Sequence, residues 1–600
     1  MVLHNEVVQV IKKGLETNTK NVLKVIDMND LDEKQMLLQI RKYALFNAVK
    51  HGMAPKAGAV IGRLVGSHPE LRLHVKTVSK LVGTVVGEIS KTDKASWRRE
   101  LSEIAPDLLD ELSEKRVPDK GLPPLECTDH VVMRFAPNPN GPATLGSARG
   151  IIVNSEYAKR YHGKFIIRFD DTDPETKRPL PDAYNWYLED CRWLGAVPDE
   201  VVIASDHIQT YYDHARQLIK KNAAYICFCK KDEFKKYRDS ATACPHREQD
   251  VDTTLKNWQD MLDGKYSPGE AVLRIKTDMS HKDPAIRDWV AFRIVDTPHP
   301  RPEIRDRYQV WPLLDFESAV EDRLLGITHI IRGKDLIDSE HRQRYVYKYF
   351  NWKYPETLHW GRVKIHEFGK LSTSSMSEAI RKGEYTGWDD PRLPTLQAMR
   401  CRGIQPEAIC KFFIELGVGE TDIGLSMENL YAENRKVVDQ TSKRFFFTPD
   451  PVKLIIRDAP VTVAKPMLHP SHRNWGNRLI SVANNVLISQ SDAEKIKESE
   501  ILRLKDLYNI KILKKTDGVI TAEYMSGGVE IVRKNRGRII HWTVPGGLNI
   551  RVLNVTGEEK GIGERGISDC VGEVVQFERY GFVRIDSVKD NNVTAYFAHK

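Results

Sequence analysis

Three groups of residues in this 600-residue chain have side chains and spacings suited to chemistry. The first is the run Arg134-Phe135-Ala136-Pro137-Asn138-Pro139-Asn140-Gly141-Pro142-Ala143-Thr144-Leu145-Gly146. It reads as a strand that ends in a Pro/Gly turn and opens a helix. Such a turn offers unpaired backbone N–H groups at the positive end of a helix dipole, where phosphates bind. The plainer reading is an ordinary turn. The second group is Arg168-Phe169-Asp170-Asp171-Thr172-Asp173-Pro174. Its three carboxylates within four residues repel one another and need a cation, whether a substrate ammonium, an arginine or Mg²⁺. Alternatively, Thr172-Asp173-Pro174 starts a helix with acidic first-turn residues. The third group is Cys227-x-Cys229 followed, after fourteen residues, by Cys244-x-His246. Three thiolates and an imidazole in paired short spacings supply a tetrahedral zinc shell, structural because all four positions are filled. The competing reading makes Cys227 and Cys229 buried small residues alternating on a strand.

The elements that must carry these groups follow from periodicity. Residues 1–118 read as helical: EVVQVIKKGLETNTKNVLKVI and DEKQMLLQIRKYALFNAVKHG have apolar residues at three- and four-residue steps. PDKGLPPLE, around Pro118 to Pro124, is a linker. Val131 to Phe135 and Lys164 to Phe169 are strands on either side of a helix from about Ser147, which argues a parallel α/β unit. A section near 225–310 interrupts the alternation. It resumes with the strand GITHIIR, Gly326 to Arg332, and a helix containing His341 to Phe350. After about residue 440, short β-rich runs with turn signals suggest antiparallel barrels.

Composition narrows the class. The chain is 41% hydrophobic and 29% charged, ordinary for a folded soluble protein, and no apolar run approaches the ~18 residues of a membrane span. The N-terminus has polar residues within its apolar pattern, so no secretory leader is expected. Eight cysteines in this length do not make a disulfide framework, which fits a cytoplasmic protein. Of the net +8, +7 falls in residues 441–600 (25 Lys+Arg against 18 Asp+Glu), which suggests contact with a polyanion there. Trp475 and the run Arg533-Lys534-Asn535-Arg536-Gly537-Arg538 could stack on or neutralise RNA, although each could equally be a plain surface feature. His366 and His472 are lone histidines that read as structural.

RFAPNPNGPATLGSARG followed by RFDDTDPE is similar to the opening of class I glutamyl- and glutaminyl-tRNA synthetases. DFESAVEDRLLGITHIIRGKDLIDSEHRQRYVY resembles the second half of their Rossmann domain. GKLSTSSM sits where the KMSKS loop belongs, and GEVVQFERYGFVRID resembles the distal anticodon-binding barrel of the archaeal and eukaryotic type. The likeness runs in order over roughly residues 130–590, and the N-terminal helices look like the extension of archaeal members. It implies a multidomain α/β plus β fold. The expected parts are an N-terminal helical domain (1–118), a Rossmann first half (119–224), an acceptor-stem-binding insertion with the zinc residues (225–310), a Rossmann second half with the KMSKS-like loop (311–380), a helical stem-contact region (381–440) and C-terminal antiparallel barrels (441–600).

The resemblance also implies roles. Arg134 holds the side-chain carboxylate of glutamate, Asn138 sits beside it, and Asp170 accepts the α-ammonium. Arg332 matches an arginine of the glutamate enzymes where the glutaminyl enzymes have a neutral residue. A bidentate guanidinium suits a carboxylate, and buried without an anion it costs several kcal/mol, which a glutamine amide could not offset. Pro139, Gly141, Thr144, Gly146, Lys370 and Leu371 fall at ATP-binding positions; Thr144, Gly146, Ser147, Lys370 and Ser372 take the catalytic places. Three positions depart from the pattern. The HIGH motif reads Thr144-Leu145-Gly146-Ser147, the second KMSKS lysine falls on Thr373, and a tyrosine of some relatives is Leu314. A hydroxyl still donates to a phosphate oxygen but brings no titratable charge, which leaves Lys370 as the nearest cation to neutralise pyrophosphate. The implied activity is ATP- and Mg²⁺-dependent formation of glutamyl-adenylate and transfer to glutamate tRNA, and also to glutamine tRNA if the enzyme is non-discriminating, with a separate amidotransferase completing the second product. A cytoplasmic monomer with no membrane association is expected. A glutaminyl-tRNA synthetase and a catalytically silent relative acting as a scaffold are the alternatives.

Overall fold

The computed structural model describes residues 30–600, apart from 68–70, 72–74, 107, 109–120, 127, 369–371 and 517. The expected helical segment before residue 30 lies outside the described residues. The chain forms two compact units, residues 1–119 and 120–600.

The first unit is helical, as its periodicity predicts: α1 Asp30–His51, α2 Ala57–Ser67, α3 Val75–Ile89 and α4 Lys94–Ile104. Leu45, Leu64, Val82 and Leu101 meet in its core with no exposed surface. Full burial of such a side chain stabilises by about 1.5–3 kcal/mol. Asp93 caps α4 by accepting from the Ser96 amide at 2.7 Å, and Arg41 on α1 ties α3 and α4 together through Glu88 and Glu100.

The second unit begins with a parallel α/β sheet. Its first half runs β1 Val132–Phe135, α5 Leu145–Arg160, β2 Lys164–Phe169, α6 Ala183–Trp193, β3 Glu200–Ile203 and α7 Ile208–Lys220. An antiparallel meander then intervenes: β4 Ala224–Cys227, β5 Val272–Ile275, β6 Val290–Ile294 and β7 Val310–Pro312, with α8 Lys231–Asp239 and α9 Val251–Leu262 between β4 and β5. The sheet resumes with α10 Leu314–Leu324, β8 His329–Gly333, α11 Ile337–Phe350 and β9 Glu356–Trp360. Its strand order is β3-β2-β1-β8-β9, all parallel. After β1 the chain winds outward to one side, and after the meander to the other. The order therefore reverses between β1 and β8, where a crevice opens beyond the carboxyl ends of the strands.

Helices α12 Thr373–Arg381, α13 Leu396–Arg402, α14 Pro406–Leu416 and α15 Met427–Val438 follow. The C-terminal region is two closed barrels. In one, a seven-stranded sheet has Arg444–Phe445 at one edge and Phe447–Pro449 at the other; they are successive pieces of one segment, so the sheet closes on itself. In the other, six strands close where Leu487 and Thr543 exchange backbone hydrogen bonds at 2.8 and 3.0 Å. Closure removes the exposed edges that invite aggregation. The ladders are mainly antiparallel, as expected, but Pro451–Arg457 pairs parallel with Val519–Ser526, and Leu548–Asn554 with Asn592–His599. Among the described residues no helix is long and apolar enough to cross a membrane.

Candidate active site

The strand ends at the crevice bring together Arg134 from β1, Arg168 and Asp170 from β2, and Arg332 from β8, with α10 lying behind them. Arg134 donates through Nε and Nη2 to Oδ1 and Oδ2 of Asp322 on α10, at 3.0 and 3.2 Å. Arg168, with no exposed surface, donates from Nη1 to the same Asp322 at 2.7 Å. Its Nε and Nη2 reach Asp170 at 2.6 and 3.2 Å, and Nη2 also reaches Ser318 Oγ at 2.8 Å. Glu317 Oε1 lies 3.3 Å from Arg168 Nε. The result is a buried ladder, Arg134–Asp322–Arg168–Asp170, with Glu317 against it.

Two carboxyls of this cluster are driven apart. Burial, then repulsion from Asp170, pushes Glu317 well above the usual carboxylate range, and burial raises Asp170 as well. Burial acts the same way on Asp322, but the guanidiniums of Arg134 and Arg168 outweigh it and hold Asp322 down at about 2. Three guanidiniums and three carboxyls meet in the crevice, and all three carboxyls lie against Arg134 or Arg168. Arg332 is the group left over. It is 6% exposed, its Nη2 donates only to Gln343 Oε1 at 3.1 Å, and its buried Nε has no partner. Tyr354 OH donates to the same Gln343 oxygen at 2.7 Å, and the Tyr347 hydroxyl is buried without a partner. Burial pushes the Arg332 guanidinium below its ordinary value. A buried cation with only a neutral acceptor is a site for an anion.

The three carboxylates after β2 each have partners within the fold. Asp170 takes Arg168. Asp171, fully buried and raised by that burial to about 6, accepts from Tyr184 OH and from Ser205 N and Oγ. Asp173 accepts from the Glu175 and Thr176 amides and pairs with Arg293 at 2.9 Å. Arginines therefore compensate two of the three, and no helix starts at Thr172-Asp173-Pro174: Asp173 closes a turn, and the next helix begins at Ala183. Asn138 Nδ2 donates to the Asp170 carbonyl at 2.8 Å, while its Oδ1 is buried without a partner. The Asp170 amide donates to Pro137 O at 3.0 Å and the Leu180 amide to Pro139 O at 2.8 Å, so the turn is stitched to the segment after β2.

Thr144 is the N-cap of α5, its Oγ1 accepting from the Ser147 amide at 3.4 Å; Ser147 Oγ also lies 3.4 Å from Tyr187 OH. Gly146 is exposed at the head of the helix. The turn meets α12 at Gly141: a Cβ there would lie 2.4 Å from Thr373 Cγ2 and 3.2 Å from Trp388. Only glycine permits that approach. Ser372 caps α12 in a reciprocal pair with Ser375. The two regions with phosphate-binding character are therefore side by side. Lys370 and Leu371 lie outside the described residues.

Cys227, at the end of β4, has its Sγ 3.9 Å from that of Cys244; Cys229 Sγ is 3.4 Å from His246 Nδ1. All four ligand atoms lie within 4.8 Å of one another, and none of the cysteines is in a disulfide. Ligands about 2.0–2.3 Å from a tetrahedral zinc stand roughly 3.5–3.8 Å apart, so the donor set fits that ion. As for the lone histidines, His472 stacks on Trp475 at 4.6 Å and lies 3.0 Å from the Gln440 carbonyl. Sequence reasoning missed Arg168, Glu317 and Asp322. One signal was available for two of them: Glu317 and Asp322 are acidic residues on a helix whose run is otherwise buried.

A doubly wound sheet with a charged crevice at its switch point, a phosphate-type turn and a pair of appended barrels define a nucleotide-binding α/β protein with a second binding region. Comparison with known proteins makes this specific. Residues 130–440 match a family described as tRNA synthetases class I (E and Q), catalytic domain, and residues 442–526 its anti-codon binding domain. A glutamate–tRNA ligase of Methanosarcina barkeri is 56% identical over 94% of this chain and 99% of its own length. The corresponding figures are 52% over 93% and 99% for that of Archaeoglobus fulgidus, and 46% over 93% and 99% for that of Pyrococcus abyssi. The chain belongs to the class I tRNA synthetases of the E and Q group.

Proposed function

We infer that this chain is a glutamate–tRNA ligase, which activates glutamate with ATP and esterifies it to the 3′ end of tRNA. The observation that carries the choice of glutamate is Arg332, a buried guanidinium without a carboxylate partner among the described residues. Glutamate relatives that match over nearly the whole chain support it.

In the mechanism we propose, Arg332 and the remaining N–H donors of Arg134 bind the glutamate side-chain carboxylate. Asp170 and Asn138 receive the α-ammonium end. The α-carboxylate oxygen attacks the α-phosphorus of ATP and pyrophosphate leaves; a terminal ribose hydroxyl of tRNA then attacks the acyl carbon and AMP leaves. No residue forms a covalent intermediate. Pro139, Gly141, Thr144, Gly146 and Ser147 position the nucleotide, and Lys370, Leu371 and Ser372 supply the groups that stabilise its phosphates. Mg²⁺ brought in with ATP helps to neutralise the phosphates. Cys227, Cys229, Cys244 and His246 would hold a structural zinc, which would keep the insertion (225–310) in shape for the acceptor stem. The helical region (381–440) follows the stem, and the barrels (441–600) bind the anticodon.

We further propose that the enzyme is a cytoplasmic monomer, that it charges glutamine tRNA as well as glutamate tRNA, with an amidotransferase converting the second product, and that it activates glutamate only once tRNA is bound. The barrel-type anticodon region and the N-terminal helical unit favour this wider tRNA range. The test is charging of both tRNA transcripts with labelled glutamate, ATP and Mg²⁺, alongside ATP–pyrophosphate exchange with and without RNA. Charging of glutamate tRNA alone would remove the wider range, and equal exchange without RNA would remove the tRNA requirement. Charging of neither would favour the silent relative, with the altered Thr144–Ser147 and Thr373 positions as its cause.

A further inference from the structure

The phosphate turn is fastened from outside the parallel sheet. The Leu145 amide donates to Pro394 O at 2.9 Å, the Leu396 amide to Ala143 O at 2.8 Å, and Thr144 forms an antiparallel bridge with Thr395. Residues 394–396 begin α13, which Thr395 caps by accepting from the Ala398 amide at 3.0 Å. One turn along, Arg400 Nη2 donates to Asp190 Oδ1 on α6 at 2.6 Å. Asp190 is 1% exposed, its Oδ2 has no partner, and the Arg400 guanidinium lies over the Trp193 ring at 5.0 Å. Burial pushes Asp190 up to about 7, while Arg400 and the Ala143 backbone amide pull it the other way.

The far end of α13 is held by the C-terminal barrel. Arg402 Nη2 donates to the Ala598 carbonyl at 2.8 Å and Nε to that of Phe597 at 3.3 Å, while Arg584 donates to Cys401 O at 3.1 Å. Gly403, at φ +85°, ends the helix where a Cβ would lie 2.7 Å from Val574. A helix fixed at one end to the barrel and at the other to the turn cannot shift without moving one of them.

We propose that Asp190 and Arg400 are positioning residues for the ATP-binding turn Ala143–Ser147. The pair ties α6 to α13, whose first residues bond the turn and whose far end is held by the barrel. Asp190 is a buried carboxylate whose side-chain partner is Arg400, one turn along the helix whose first residues bond the phosphate turn. Neither residue touches substrate, so both act through the geometry of the turn. The proposal rests on the reading of the chain as a glutamate–tRNA ligase.

The test uses the full chain, glutamate tRNA transcript and labelled glutamate. Arg400→Met is expected to raise the KM for ATP about tenfold, to leave the KM for glutamate within twofold, and to be largely repaired in Arg400→Lys. Asp190→Asn should match Arg400→Met, and the double variant should be no worse than either single change. An unchanged ATP KM in both single variants would overturn the proposal. So would equal rises in the two KM values with a lowered thermal transition, or additive losses in the double variant. If the wild-type chain charges no tRNA with glutamate, the ligase reading itself falls, an outcome separate from all of these.

Discussion

Replacing Arg332 with glutamine should abolish most glutamate use while leaving the ligand-free fold as stable as before, or more so. The two halves of this expectation come from the same geometry. In the absence of substrate, Arg332 makes one hydrogen bond, to Gln343, and leaves Nε buried and unpaired. Removing it loses that bond, worth about 1.5–3 kcal/mol for a charged donor. It also relieves a desolvated charge whose penalty is several kcal/mol. The net effect on the thermal transition is zero or positive. With glutamate bound, the guanidinium is half of a buried, hydrogen-bonded ion pair. Truncating such a pair costs about 2–5 kcal/mol, or roughly 30- to 4,000-fold in kcat/KM for glutamate. Steady-state charging with glutamate varied measures the second effect and thermal unfolding the first. Saturating glutamate should also raise the melting temperature of the wild-type chain but not of Arg332→Gln. A variant that kept kcat/KM within threefold, or that melted well below wild type, would refute the reasoning: Arg332 would then be a structural residue.

Asp322 should behave in the opposite way. Its folded pKa of about 2 lies below the ordinary 3.8, so its contribution is complete above about pH 4 and is lost as pH falls towards 2. Thermal unfolding of Asp322→Asn should therefore fall short of wild type at neutral pH, by on the order of 2 kcal/mol from this shift alone, and the two curves should converge between pH 4 and 2. Gly141→Ala puts a methyl 2.4 Å from Thr373 Cγ2; overpacking of about 1–3 kcal/mol should raise the KM for ATP, and adding Thr373→Ser, which removes that methyl, should recover it. Metal analysis should find one zinc per chain; Cys244→Ser should lose it, lower the thermal transition and raise the KM for tRNA more than that for ATP.

Much of this arrangement is legible in the order of residues, and the remainder is not for a definable reason. Arg134, Asp170 and Arg332 stand where strands end, and strand ends in a parallel α/β sheet face the ligand crevice, so their neighbourhood follows from local pattern. The Pro/Gly turn reads as opening a helix near Ser147, and the helix begins two residues earlier, at Leu145, with Thr144 as its cap. The cysteines and His246 come together because two short spacings sit on one meander. What local pattern cannot supply is the partner across the sheet. Arg134 and Asp322 are 188 residues apart, and Arg400 and Asp190 210 apart. Each of these pairs forms only because a helix from another part of the chain packs at one particular register. The parallel pairs inside the barrels are hidden for the same reason, since a strand's alternation reports its buried face but not the direction of its neighbour.

The placing of charges explains how glutamate can be separated from glutamine without a difference in shape. Asp170, Asp322 and Glu317 all lie against Arg134 or Arg168, and Arg332 has only the Gln343 oxygen. Glu321 is held elsewhere: it accepts from Tyr211 and pairs with His207, whose pKa the same hydrogen bond raises. A glutamate side chain brings a carboxylate to Arg332; a glutamine side chain brings an amide and leaves the guanidinium buried without an anion. Selectivity therefore rests on the partner that Arg332 lacks, and on the ladder that keeps the neighbouring carboxyls turned to Arg134 and Arg168.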